Sequence, residues 1–135
     1  MEDCIFCKLA NGVFPTAKIY EDELVTAFLD VSPASAGHTL IVPKQHYADL
    51  TVLPDEVAAH LLPVAKRIGS RMMEVLPIDG FHLVQNNGEA AGQTVFHFHL
   101  HVIPRVKGDG AMVSWTPGSL TDEERERLVA DLRIS

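Results

Sequence analysis

The sequence predicts one α+β domain with five strands, one long helix and a shorter C-terminal helix. Three observations support this prediction: five short apolar runs are bounded by turn residues, one longer stretch repeats apolar residues at helical spacing, and a helix-capping pattern precedes the final residues. The chain has 135 residues, of which 47% are hydrophobic and 21% are charged. These proportions suit a single globular domain with a core of useful size.

The first three strands are predicted before the long helix. Residues 17–20 and 24–29 are apolar and a polar turn separates them, which is typical of a β-hairpin. Residues 30–37 are small or turn-forming and predict a loop. Residues 39–43 predict a third strand, which the proline at its end either terminates or leaves at a sheet edge.

The long helix is predicted after this strand. From Val57 to Leu76, apolar residues recur at spacings of three and four, which places them on one face of a helix. Pro54, followed by two acidic residues, suits the beginning of a helix. Pro63 lacks a backbone N–H, so we expect it to kink the helix or to divide it in two.

The remaining elements follow the helix. Residues 81–85 predict a fourth strand, residues 86–92 predict a polar loop with glycines, and residues 95–104 predict a final long strand. Residues 121–124 match a capping box and precede spaced apolar residues. A short C-terminal helix is therefore predicted there.

The composition and charge disfavour several classes of partner. The formal net charge is −7 and no cluster of Lys and Arg offsets it, so we expect no binding to nucleic acid. Backbone N–H groups can still bind a phosphate locally. No apolar run approaches the roughly 18–20 residues of a membrane span, and the first residues do not resemble a secretory signal. We therefore expect a cytoplasmic protein that does not bind membranes.

Two cysteines lie in the head of the predicted domain. We take the domain as residues 1–118, with a head over 1–16, and the C-terminal tail as residues 119–135. Cys4 and Cys7 have the spacing C-x-x-C. A structural disulfide is not expected without a secretory signal. Half of a zinc site is one interpretation, and a reduced pair of packing cysteines is the other.

Three of the seven histidines, His97, His99 and His101, alternate with apolar residues in the final predicted strand. Side chains alternate between the faces of a strand, so the three imidazoles share one face, with Cα atoms about 6.5–7 Å apart. The other face is apolar and consists of Phe96, Phe98, Leu100 and Val102. A polar strand face, a metal-binding pair and a catalytic group are the three interpretations, and catalysis by imidazole is favoured.

The loop before this strand supports the catalytic interpretation. It contains carboxamides, a hydroxyl and flexible backbone, which can hold phosphate oxygens without net charge. The residues concerned are Asn86, Gly92, Gln93 and Thr94.

Residues 92–103 resemble the signature of the histidine triad (HIT) family, in which three histidines alternate with apolar residues after Gly-Gln-Thr. The similarity extends from Cys4 to about Gly118 and includes Gly37-His38 and residues 42–46. The transferase branch carries Gln at the third histidine position. His101 stands there in this chain, which favours the hydrolase branches.

The resemblance implies roles for the histidines and a fold. The sheet would be mainly antiparallel, and two chains would pair through the long helix and a sheet edge. His99 would attack the α-phosphorus of a nucleotide, and His101 would contact phosphate oxygens and the leaving group. His38 would support the triad, as would His97 indirectly. No metal is required for this reaction.

The resemblance also implies how a purine nucleotide would be bound. Asp30 would bind the ribose hydroxyls, and Phe28 and Val31 would form walls of the base pocket. The phosphate would be held by Asn86, Gly92, Gln93, Thr94 and the two histidines His99 and His101.

A structural zinc site is a further implication of the resemblance. Its ligands would be Cys4, Cys7, His46 and His97, a chemically sound tetrahedral set. The segment that begins at Trp115 resembles the tail of the Hint branch, which reaches the partner subunit's site.

The predicted function is that of a Hint-like hydrolase. It would cleave purine nucleoside phosphoramidates or aminoacyl adenylates through a nucleotidyl-histidine intermediate and release the nucleoside monophosphate. A dinucleoside polyphosphate hydrolase is the alternative among enzymes. A zinc-stabilised dimer that binds nucleotides or protein partners with little turnover is the alternative from another class.

Overall fold

The computed structural model describes residues 3–110 and 116–134. Two short 3₁₀ segments, Leu50–Val52 and Glu89–Ala91, lie in loops. The helices and strands, in chain order, are α1 (Ile5–Ala10), β1 (Lys18–Glu21), β2 (Val25–Leu29), β3 (Thr39–Pro43), α2 (Asp55–Val75), β4 (Gly80–Val84), β5 (Leu100–Arg105) and α3 (Asp122–Leu132).

The five strands form one sheet in the order β1-β2-β3-β5-β4, and each neighbouring pair is antiparallel. This confirms the predicted α+β fold with five strands, one long helix and a short C-terminal helix. The proline at the end of β3 was expected either to terminate the strand or to leave it at a sheet edge, and Pro43 terminates the strand. The strand β3 pairs with β5 only as far as Ile41, opposite Leu100, so the missing N–H of Pro43 costs no ladder bond there.

Helices cover both faces of the sheet. The apolar side of α2 packs on one face, where it buries Val25, Ala27 and Ile41. The helix α1 covers part of the other face, where Ala10 packs with Phe28 among a second group of buried residues. Because both faces are covered, the central strand β3 is buried at every position, which explains its continuous apolar sequence.

The helix α2 is continuous from Asp55 to Val75, so the expectation that Pro63 could divide it is wrong. Pro63 and Ala59, whose carbonyl loses its intrahelical partner, both lie on the exposed side. Water can therefore satisfy that carbonyl. Further along, Gly69 lies so close to β4 that a Cβ atom there would be 2.3 Å from the ring of Phe81.

The final strand is shorter than predicted. Regular pairing begins at Leu100, and the preceding residues, including two of the histidines, run beside the sheet outside the ladder. The backbone N–H of Phe98 donates instead to Tyr47 O at 2.6 Å. Phe98 and Val102 are buried as predicted, but Phe96 is 51% exposed, so its placement on the core face is wrong.

Both ends of the described chain carry short helices. The helix α1 was not predicted; Cys4 caps it, because its Sγ accepts from the backbone N–H of Cys7 at 3.3 Å. The helix α3 begins with the predicted capping box between Thr121 and Glu124, and its residues are exposed.

Trp115 lies outside the described residues. Within those residues, no helix combines the length and the apolar composition of a membrane span.

Candidate active site

A cavity of about 640 Å³ opens between α1, the end of β2 and the histidine segment. The rings of His99 and His101 face this cavity together with Asp30 and Thr94. Its apolar wall includes Phe28, and the 97% exposed Val31 stands at its rim. The structure therefore brings together, in one cavity, residues that the sequence predicted for phosphate, ribose and base.

The imidazole of His99 is held in one tautomer by the backbone. Its Nδ1–H donates to His97 O at 2.8 Å, because a carbonyl can only accept. The other nitrogen, Nε2, therefore carries a lone pair. Burial lowers the pKa of His99 against the opposing effects of this hydrogen bond and of Asp30, so the ring is neutral near pH 7.

The imidazole of His101 is held in the opposite tautomer. The backbone N–H of Ala34 donates to His38 Nδ1 at 2.9 Å, so the proton of the neutral His38 ring is on Nε2. That N–H donates to His101 Nδ1 at 2.9 Å, which leaves the proton of His101 on Nε2. His101 thus offers an N–H donor beside the lone pair of His99, and the centroids of the two rings are 5.0 Å apart.

Burial also keeps these two rings neutral. Burial first, and then the repulsion of positive charge by His99 and His38, lower the pKa of His101 to about 4, although Asp30 opposes these effects. Burial lowers the pKa of His38 as well, although Asp30 opposes this effect. The Asp30 carboxylate lies 3.6 Å from His38 Nε2, and its other oxygen accepts from the backbone N–H of Ser32 at 2.8 Å.

The residues predicted to hold phosphate occupy different positions. Thr94 lines the cavity, whereas Gln93 is 2% exposed and turned into the protein. The Gln93 side chain accepts from Gly88 N and donates to Ala48 O and Val95 O, so it supports the loop. Gly92 has φ +94°, a left-handed conformation that favours glycine.

Asn86 lies beside Gly92, outside the lining of the cavity. A Cβ atom at Gly92 would lie 3.6 Å from Asn86 Nδ2, which is an ordinary van der Waals distance. Within the described residues, the Asn86 carboxamide itself makes no hydrogen bond. Its polar atoms are therefore not committed to the loop as those of Gln93 are.

The cysteines form a second cluster with His46 and His97, behind the cavity. Sγ of Cys4 and Cys7 lie 3.3 and 3.4 Å from His97 Nδ1, and Cys7 Sγ lies 3.5 Å from His46 Nδ1. A tetrahedral zinc ion would hold sulfur and nitrogen ligands about 3.5 Å apart. His97 Nε2 donates to Pro43 O at 2.8 Å, so its lone pair is on Nδ1, toward the sulfurs. The four donor atoms therefore fit a tetrahedral metal ion.

A third group, formed by Asp30, His38 and His101, also has its donor atoms within 4.8 Å of one another. Its chemistry differs, because Ala34 N–H occupies His38 Nδ1 and leaves a proton on Nε2. A metal ion would need that nitrogen as a lone pair. The group is therefore better described as a hydrogen-bonded pair of histidines beside a carboxylate.

Sequence reasoning missed Phe6 and Leu9, which line the cavity from α1. Their spacing of three residues beside the cysteines was the available signal. The remaining two histidines lie elsewhere: His60 Nε2 is 2.5 Å from Asp22 Oδ2, and His82 Nδ1 is 3.4 Å from Arg105. Neither lines the cavity.

Comparison with known proteins identifies the class to which this fold and this arrangement of histidines belong. The sequence model of the HIT domain family matches residues 11–108, which is most of the chain. The chain belongs to the histidine triad (HIT) family.

Several curated relatives have names that describe reactions. The chain is 39% identical to the Arabidopsis thaliana protein named adenylylsulfatase HINT3, over 97% of this chain and 68% of that protein. It is 41% identical to the Saccharomyces cerevisiae protein named adenosine 5'-monophosphoramidase HNT1, over 90% of this chain and 75% of that one.

Two solved structures resemble the whole chain. A HIT family protein from Bacillus anthracis has a TM-score of 0.89 and 42% identity, and the match covers 97% of this chain and 95% of that one. A Zn-bound histidine triad family protein from Mycobacterium smegmatis has a TM-score of 0.77 and 42% identity, with 96% and 92% covered.

Proposed function

We propose that this protein is a nucleotide hydrolase that cleaves purine nucleoside phosphoramidates or aminoacyl adenylates at the α-phosphate. The observation that carries the proposal is the pair of opposite tautomers, which puts a lone pair on His99 Nε2 beside a donor on His101. The names of the yeast and Arabidopsis relatives support it, since both describe removal of a group from the phosphate of an adenosine nucleotide.

The chemistry proceeds in two steps on His99. Its Nε2 lone pair forms a bond to the α-phosphorus, and the bond from phosphorus to the leaving group breaks with its electron pair; a leaving amine takes up a proton, whereas a carboxylate leaves as the anion. Water then attacks the same phosphorus and releases a proton, the bond to Nε2 breaks, and the nucleoside monophosphate leaves. The donor on His101 is placed to bind a phosphate oxygen or the leaving group, and Thr94 adds a hydroxyl.

The rest of the nucleotide would occupy the remaining cavity. The Asp30 oxygen that does not bind Ser32 can accept from a ribose hydroxyl. The base would lie on the apolar wall between Phe28, Val31 and the α1 residue Phe6. Asn86 and Gly92 would act near the phosphate, while Gln93 would act through the loop that it supports.

The first test is release of AMP from adenosine 5'-phosphoramidate by the protein and by His99→Asn. We expect release by the wild type and a loss of about three decades in the variant, which corresponds to about 4 kcal/mol of barrier. Binding of AMP by the variant would control for folding. Equal, negligible release by both proteins would contradict the proposal, and dinucleoside polyphosphates would be assayed next.

The cluster of Cys4, Cys7, His46 and His97 supports a structural zinc site, as does the Zn-bound structural relative. Bound zinc would supply a closed four-ligand link between α1 and the histidine segment. We expect one zinc per chain by metal analysis, with His46→Ala losing it. His82→Ala, which removes a histidine outside the cluster, should keep it; loss from neither variant would contradict the assignment.

A homodimer is also proposed. The edge strand β4 and the neighbouring side of α2 form a shallow apolar depression that includes Leu62, Phe81 and Leu83. Leu62 and Leu83 are 63% and 40% exposed in the single chain, and an unpaired edge strand beside an apolar patch favours association.

A further inference from the structure

The helix α1 belongs to both the cysteine–histidine cluster and the cavity. Cys4 caps the helix and Cys7 lies in its first turn, while Phe6 and Leu9 line the cavity. A helix of six residues is too short to be stable alone in water. Its position therefore depends on contacts with the rest of the molecule.

Different groups hold the two ends of α1. At the C-terminal end, the Thr26 hydroxyl donates to Ala10 O at 2.7 Å, and Asn11 Nδ2 donates to Lys44 O at 2.8 Å. At the N-terminal end, both cysteine sulfurs contact His97 Nδ1. A metal ion bound by both sulfurs would therefore fix the turn that carries Phe6.

The ring of Phe6 connects this turn to the reactive histidine. Its centroid lies 4.8 Å from that of the His99 ring, at an interplanar angle of 87°. The same ring lies 6.1 Å from Phe28 and 6.2 Å from His97, again edge to face. Aromatic rings prefer this arrangement, and each such contact restricts the orientation of both partners.

A second connection passes through His97 itself. Its ring lies in the cluster, with Nδ1 toward the sulfurs and Nε2 bound to Pro43 O. Its backbone carbonyl accepts from His99 Nδ1. One residue therefore joins the cluster to the hydrogen bond that determines the tautomer of His99.

We propose that metal bound by the cluster positions His99 for reaction, through Phe6 and through the His97 carbonyl, in addition to stabilising the fold. Phe6 is then a positioning residue. This inference rests on the proposed function for the reaction and on the proposed metal site for the ion. It adds that the nucleophile and the base pocket respond together to the occupancy of a cluster whose residues do not line the cavity.

The test compares the zinc-loaded full chain with the same chain after chelation under reducing conditions. The ring nitrogen and proton signals of His99, measured by NMR with labelled histidine, report its tautomer and its distance from Phe6. We expect these signals to change on metal removal, AMP to bind at least about tenfold more weakly, and both effects to reverse when zinc is restored. Circular dichroism and methyl signals from α2 report whether the body stays folded.

Phe6→Leu in the zinc-loaded protein tests whether Phe6 positions His99, and this test holds even if chelation unfolds the chain. We expect the same change in the His99 signals and a fall of about tenfold in kcat, with zinc content unchanged. Phe14→Leu is the matched control, since Phe14 is in the same segment but outside the cavity. A lost base contact alone would raise KM and leave kcat unchanged.

Unchanged His99 signals in Phe6→Leu and in folded, metal-free protein would overturn the inference. The NMR comparison uses no substrate, so failure of the proposed reaction can be distinguished from failure of this inference. In that case no AMP would be released by the wild type, while the His99 signals would still report the coupling.

Discussion

His99 and His101 are the same residue type two positions apart, yet their hydrogen-bonded neighbours give them opposite roles. The His97 carbonyl oxygen behind His99 accepts a hydrogen bond from Nδ1–H, so the nitrogen that faces the cavity, Nε2, carries a lone pair. An N–H of His38 behind His101 donates, so the front nitrogen carries the proton. The tautomers follow from which group each ring meets in the fold. Sequence spacing predicted that the rings are neighbours, but it could not predict these partners.

The pH dependence of kcat/KM tests this assignment for His101. Its pKa is lowered to about 4, so the neutral ring dominates above about pH 5 and is lost as the pH falls through about 4. Protonation would put an N–H on Nδ1, facing the N–H of His38. The pKa of His99, which must also be neutral, is lowered by burial as well, so we expect a level profile from about pH 7 to 8 and an acid limb below 6.5.

Asp30→Asn sharpens this measurement. The Asp30 carboxylate raises the pKa of His101, so its removal should move the acid limb of kcat/KM to lower pH, whatever it does to the absolute rate. An acid limb near 6.5 in the wild type, or one that moves to higher pH in the variant, would contradict the assignment.

Among the elements, α2 shows both the strength and the limit of sequence reasoning. Its apolar periodicity predicted a long helix with one buried face, and that face is buried against the sheet. Of the two outcomes expected at Pro63, a kink or a division, the division does not occur, since the freed carbonyl at Ala59 is exposed and water can bind it. The helix α1 was missed because six residues are too few for a periodic pattern.

The contact between Gly69 and Phe81 gives a prediction for stability. Alanine is a better helix former than glycine by about 1 kcal/mol, but its methyl group would overlap the Phe81 ring. We expect Gly69→Ala to lower the free energy of unfolding by about 1–3 kcal/mol in urea denaturation. Ser70→Ala, at the exposed neighbouring position, is the control and should not destabilise; a stabilised Gly69→Ala would contradict the packing.

For the whole molecule, the sequence predicted the strand count, the two longer helices and part of the lining of the cavity, including His99, His101, Asp30 and Thr94. It could not predict that the two histidines before Leu100 leave the regular ladder, or that Gln93 turns inward. Both depend on distant partners, such as Tyr47 O for the Phe98 N–H and Ala48 O for Gln93. Local periodicity contains no information about such contacts.

The proposed dimer gives a prediction at this scale. Leu62→Glu places a charge in the apolar depression between α2 and β4, so we expect the mass measured by light scattering to fall from two chains to one. Val52→Glu is the control, because Val52 is 58% exposed but lies outside that depression. A wild-type protein of one-chain mass, or an unaffected Leu62→Glu dimer, would contradict the proposal.

The acceptor behind His99 has a further consequence for turnover. In the serine protease triad a carboxylate stands behind the imidazole and stabilises its positive charge. Here the acceptor is an uncharged peptide carbonyl, so the ring gains less basicity from its neighbour. A less basic imidazole attacks phosphorus more slowly, but it also departs from phosphorus more readily. In the proposed reaction, the neutral carbonyl would therefore favour a short-lived covalent intermediate that water hydrolyses quickly.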